Sequence, residues 1–264
     1  MSIVLGAFLP HAPLLLPTGN PAHRRKLAEA GRAMAHVAAL AYAGHVDTVI
    51  LFNPHAASIG NTFTFNLSPT LVARFEELGD LSTIIPAHGA PTFAHRLKEQ
   101  LEGRFPVTAR NDQAVNYGMG IPMLAFQKPP RQPDWVEISA RRASVADHVQ
   151  FGVALQSELI NSERRVAVIA TGDVAAGLSD AAPQGKLPGA AAFRLGWTTS
   201  LRRNTLLAYL RGVTTAQADE FASCAVWGVA QLLGTLNSLR TKVELHYDGA
   251  PYGVAYQVVT WLPA

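Results

Sequence analysis

Two short apolar runs, each closed by a proline and a histidine, constrain this chain more than any other feature. Ile3 to Leu9 is rich in strand formers and stops at Pro10, with His11 next; Val46 to Phe52 stops at Asn53 and Pro54, with His55 next. Continuous apolar runs of this length suit strands buried on both faces, as in parallel sheets covered by helices. Between them Leu27, Ala30, Met34, Val37 and Leu40 recur at three- and four-residue spacing until Gly44, which predicts a crossover helix from Pro21 to about Ala43. In open, mostly parallel sheets, ligands bind in the crevice beyond the carboxyl ends of the strands. Both histidines are therefore expected at that edge, on neighbouring strands, where their imidazoles can converge.

The remaining pattern extends the same architecture. Strands are expected at Phe63 to Leu67, Ser82 to Pro86, Val107 to Arg110 and Trp135 to Ser139, with helices at Pro91 to Leu101 and Val145 to Ile160. Asn116 to Gly120 reads as a loop introducing the apolar segment Ile121 to Phe126, and Lys128 to Pro133 as an exposed proline-rich stretch. Val166 to Ala170 is the clearest strand and runs directly into Thr171, Gly172 and Asp173. Helices are expected at about Ala190 to Arg211 and Ala216 to Asn237, followed by alternating strands Lys242 to Tyr247 and Gly253 to Trp261 joined at Asp248 to Tyr252. The predicted fold is α/β, a mostly parallel central sheet flanked by helices with a C-terminal antiparallel hairpin, in a single domain over residues 1–264. No repeat, P-loop or GxGxxG motif is present.

Composition excludes several classes. With 48% apolar and 16% charged residues, the balance is that of a folded globular chain rather than a disordered one. Formal charge is only +3, and no Lys/Arg cluster tracks a phosphate backbone, so no nucleic-acid partner is expected. Arg24-Arg25-Lys26 and Arg202-Arg203 read as solvated helix faces. The single cysteine, Cys224, excludes an internal disulfide and fits the reducing cytoplasm. Residues 1–17 have no basic leader and contain prolines at 10, 13 and 17, so neither a signal peptide nor a membrane anchor is expected.

Two neutral imidazoles plus one carboxylate make the facial triad suited to non-haem Fe(II), with positions left for substrate and dioxygen; zinc or manganese can use the same ligands. His23, His36, His45, His88, His95, His148 and His246 carry no such motif and are read as structural or solvated. Asp173 has two readings, a turn cap or a group that orients a metal ligand from behind.

The segment Gly6-Ala7-Phe8-Leu9-Pro10-His11-Ala12-Pro13-Leu14-Leu15 resembles the N-terminal motif of the LigB-type class III extradiol dioxygenases, particularly the branch that includes the MEMO-like proteins. Val49 to Ala56 resembles the family strand ending in Pro-His-Gly, Ile169 to Leu178 the Ala-Ser-Gly-Asp-Leu-Ser-His segment, and Ala222 to Leu236 the cysteine-containing helix. The closing Tyr247 to Tyr256 resembles Tyr-Glu-Gly-Pro-Phe-Gly-Val-Gly-Tyr, so the likeness covers nearly the whole chain. It implies His11 and His55 as iron ligands and a catecholic or aminophenolic ring opened with dioxygen, the metal holding both reactants and promoting ionisation of the phenol.

Departures from the family pattern fall at polar positions. Tyr117 stands where the family has a histidine of Asp-His-Gly, and a phenol still donates a hydrogen bond. Ala176 stands at the acid/base histidine, and proton transfer by a positioned group contributes roughly a hundredfold to ten-thousandfold. Ser223 stands at the ligating glutamate, which leaves Cys224 or Glu220, a helical turn earlier on a similar face, as candidate third ligand. Two expectations follow: a divergent Fe(II) extradiol dioxygenase with Tyr117 and Asp173 as candidate catalytic groups, or a degenerate subunit or MEMO-like binding protein paired with an active paralogue. A homo-oligomer or such a hetero-oligomer is expected in either case.

Overall fold

A computed structural model describes residues 2–18, 20–141 and 143–263. From the N-terminus, β1 (Ile3–Leu9) passes through a short 3-10 turn at Pro13–Leu15 into α1 (Pro21–Lys26) and α2 (Ala28–Ala43). Next come β2 (Thr48–Asn53), β3 (Phe63–Asn66), β4 (Thr70–Phe75), β5 (Asp80–His88), α3 (Pro91–Glu102), β6 (Val107–Arg110) and β7 (Ala114–Val115). The middle of the chain supplies α4 (Tyr117–Ala125), β8 (Asp134–Ser139), α5 (Val145–Ile160) and β9 (Val166–Thr171). It closes with α6 (Ala190–Arg202), α7 (Leu206–Leu210), α8 (Thr215–Glu220), α9 (Ala225–Thr235), β10 (Thr241–Gly249) and β11 (Tyr256–Pro263).

Eight strands form one sheet in the order β10-β11-β1-β9-β2-β8-β3-β6, and β5-β4-β7 form a small second sheet. The four central strands are parallel, while β10 and β11 make the expected antiparallel hairpin. Every residue of β2 and β9 is buried because helices and the small sheet cover both faces. Ile50, Phe52 and Val168 face a core built with α3, α5, α6 and α9. Val49, Leu51 and Ile169 face a second core built with α2, α4 and β4.

The expectation that the two histidine strands are neighbours is corrected: β9 lies between β1 and β2 and pairs in parallel with both. A late strand inserted between two early ones creates a switch in winding direction, and the crevice opens there. Its edge collects three strand ends, those carrying His11, His55 and Asp173.

Three long helices expected from periodicity are each broken. Pro21 to Ala43 divides at Leu27, and the run from Ala190 divides around Asn204, whose φ is 56°. The run from Ala216 divides between Glu220 and Ala225, where Ala222 has a φ of 47°. Apolar spacing continues across such a break, so periodicity alone does not register it. Conversely, the expected loop at Asn116 to Gly120 begins α4: Asn116 accepts a hydrogen bond from the Gly118 N–H and caps a helix that tolerates Pro122. Two further strands, β4 and β7, lie outside the expected set, although Leu71, Ala73 and Phe75 of β4 alternate inwards; β4 pairs with both β5 and β7.

Candidate metal centre

His11 leaves the end of β1 and is 2% exposed. Its Nδ1 lies 3.2 Å from Thr171 Oγ1, which turns Nε2 towards the crevice. His55 sits on the turn after β2 and remains exposed at the mouth. That turn is built by Asn53, whose Oδ1 accepts the His55 N–H at 3.0 Å, and by Asn116, whose Nδ2 donates to the His55 carbonyl. The two imidazole centroids are 4.9 Å apart, and the Tyr117 ring lies 5.3 Å from His11 and 5.4 Å from His55.

Cys224 arrives from the opposite wall. The break between α8 and α9 turns the chain so that the Cys224 Sγ lies 3.6 Å from His11 Nε2. Gly172 permits the approach, because a Cβ there would sit 2.6 Å from the Cα of Ala225. The backbone closes the junction on both sides: the Asp173 N–H donates to Cys224 Sγ at 3.1 Å, and the Ala225 N–H donates to the Asp173 carbonyl at 3.2 Å. Ligand atoms of His11, His55 and Cys224 all lie within 4.8 Å of one another, the one such group of His, Cys, Asp or Glu side chains among the described residues.

Asp173 Oδ1 lies 3.6 Å from His11 Nε2; the side chain keeps 25% of its exposure, yet this oxygen is enclosed and has no hydrogen-bond partner among the described residues. Burial raises its carboxyl to about 7. Burial, and then the neighbouring His55, lowers His11 to about 3, and burial also lowers His55. Both rings are therefore neutral, the form that ligates metal. Burial, reinforced by the charges of Cys224 and Asp173, raises Tyr117 to about 12, so its hydroxyl stays a donor. Burial likewise pushes the Cys224 thiol up, and a bound cation would reverse that by taking the thiolate.

The donor set fits a divalent cation: two neutral imidazoles, a sulfur, and an unpartnered carboxylate oxygen beside them. A thiolate is softer than a carboxylate and favours zinc relative to the usual two-histidine, one-carboxylate iron site. Glu220 does not join the group. It is the exposed last residue of α8, and the break that delivers Cys224 removes the shared helical face on which it was expected. Ser223 is 1% exposed and its Oγ has no partner among the described residues, although it lines the same cavity. Ala176 packs with Val254 and Tyr256 in an apolar cluster, where no proton can be exchanged.

The cavity in front of these groups measures about 430 Å³ and is walled by Pro54, Tyr117 and Trp227. Behind it lies a polar network not anticipated from sequence. Glu137, 1% exposed on β8, accepts from Asn53 Nδ2 at 2.7 Å and Asn66 Nδ2 at 3.3 Å, and pairs with Arg110. A lone acid inside the apolar run Trp135 to Ser139 was the available signal.

Residues 5–255 match the family described as the catalytic LigB subunit of aromatic ring-opening dioxygenase. The chain belongs to this LigB family. Protein CA_C1420 of Clostridium acetobutylicum is 23% identical across 95% of this chain, which spans about half, 56%, of that relative's length. The crystal structure of the uncharacterized protein JW3007 from Escherichia coli K12 superposes with a TM-score of 0.66 over 98% of this chain and 99% of that one, at 18% identity. That likeness establishes the LigB-like fold. No described helix is long and apolar enough to cross a membrane.

Proposed function

We propose that this LigB-family chain is a divergent metal-dependent ring-cleaving dioxygenase acting on a catecholic or aminophenolic ring. The observation that carries the reading is the convergence of His11, His55 and Cys224 with an enclosed carboxylate, Asp173, at one cavity that His55, Cys224 and Asp173 line. In the proposal the two imidazoles and the Cys224 sulfur would hold Fe(II), although the sulfur makes the same set suited to zinc. When bound, the metal supplies a common template for the ring oxygens and dioxygen and favours the ionised phenol.

The chain's own groups then have distinct tasks. Thr171 holds the His11 ring so that Nε2 faces the Cys224 sulfur. Asp173 Oδ1 receives a phenolic proton, because it is enclosed, unpartnered and raised to about 7. Tyr117 keeps its proton and orients a substrate oxygen by donation. Trp227 and Tyr117 offer aromatic surface to a planar ring.

A second reading, a degenerate subunit or MEMO-like binding protein assembled with an active paralogue, is favoured by the apolar setting of Ala176 and the absence of a carboxylate at Ser223. Anaerobic reconstitution with Fe(II) separates the two. Metal content and catechol- or aminophenol-dependent oxygen uptake are measured together for the parent and for His11→Ala/His55→Ala. Uptake by the parent, lost with the metal in the variant, supports the dioxygenase. Metal retention without uptake supports the degenerate reading, and a parent that binds no metal overturns the proposed centre.

A further inference from the structure

Outside the metal centre, a separate apolar cavity of about 490 Å³ lies between α2 and α4. This volume is within the range of roughly 300–1,000 Å³ typical of small-molecule sites. Leu15, Met34, Ile121 and Leu124 contribute its apolar surface, and Gly31 leaves a gap in the α2 wall: a Cβ built there meets only Leu15 Cδ2, at 3.8 Å. The lining includes two charged residues, both cations, Arg32 on α2 and Lys128 just beyond α4. Arg32 touches Glu29 at 3.9 Å, but both side chains are more than 70% exposed, so water screens this contact and the guanidinium remains available.

The geometry points to a second ligand site, one that takes a small amphipathic carboxylate with its hydrocarbon body between α2 and α4 and its head between Arg32 and Lys128. Apolar walls supply most of the affinity through burial, and the two cations of the lining select the sign of the head group. An amine with the same tail is rejected, since its charge would face two like charges. The site is distinct from the metal centre in its lining, although Leu15 and Ile121 each follow a residue of that centre, His11 and Tyr117, by four positions.

Decanoate is the probe, with decylamine and decanol as matched tails, titrated by calorimetry into the full chain and its variants. Saturable decanoate binding is expected, at least tenfold tighter than decylamine and tighter than decanol. Gly31→Leu fills the gap and should abolish it, while Arg32→Glu/Lys128→Glu, two exposed changes that leave the core intact, should weaken it tenfold or more. His11→Ala/His55→Ala should bind decanoate as the parent does, which separates this site from the metal centre. The inference is overturned if decanoate does not saturate, if decylamine binds equally well, if Gly31→Leu binds like the parent, or if the histidine variant alone loses binding.

Discussion

The backbone N–H of Asp173 donates to the Sγ of Cys224 at 3.1 Å, joining the end of a central strand to the start of a helix 51 residues later in the chain. This one contact sets both the sulfur opposite the imidazoles and the carboxylate beside them. It also ties the proposed centre to a helix break that carries its own strain, since Ala222 adopts a left-handed backbone at a cost of about 1–2 kcal/mol.

If Cys224 is a ligand, Co(II) substitution should give a thiolate-to-metal absorption band in the parent. Cys224→Ala should lose the band and most of the metal while still folding, because the change removes one small buried group. A parent spectrum without sulfur character would instead make Asp173 the third donor.

Asp173 should give the metal-free protein a characteristic pH dependence. Its carboxyl titrates at about 7 when folded against 3.8 when unfolded, so between these values the folded state holds a proton that the unfolded state has released. Stability from this group therefore falls as pH rises through that window, by roughly 4 kcal/mol in total. We expect Asp173→Asn to be more stable than the parent at pH 8, with the difference vanishing near pH 4. Urea denaturation at the two pH values measures it, and saturating Zn(II) should flatten the parent's slope.

Arg110 and Glu137 form a buried ion pair under the turn that presents His55. Arg110→Ala leaves a carboxylate that is 1% exposed without its cation and should cost about 3–5 kcal/mol. Arg110→Ala/Glu137→Gln should recover part of that loss, because the buried charge is gone and the amide oxygen still accepts from Asn53 Nδ2. Comparing the two variants' denaturation midpoints tests whether the charge or the packing dominates.

Ser223 offers a gain-of-function test. Its unpartnered Oγ points to a polar position with spare capacity at the cavity wall, and Ser223→Glu would add a carboxylate there. Fe(II) affinity relative to Zn(II) should rise by tenfold or more, since the donor set shifts from soft sulfur towards oxygen. Competition between the two metals at fixed pH reads this directly, and an unchanged ratio would argue that residue 223 does not reach the ligands.

Much of this architecture was legible in local chemistry. Ile3 to Leu9 and Val46 to Phe52 read as strands because residues buried on both faces must be apolar at every position, and the histidines read as candidates because each followed such a strand directly. The alternating residues after Arg240 likewise announced the hairpin. What sequence could not express was adjacency. That β9 lies between β1 and β2, that Asn116 starts a helix despite two glycines, and that Cys224 rather than Glu220 meets His11 all depend on contacts between segments far apart in the chain. Periodicity reports which face of an element is buried. Where an element breaks, and which strand ends share a crevice, are decided by the packing energy of the assembled sheet and its two covering layers.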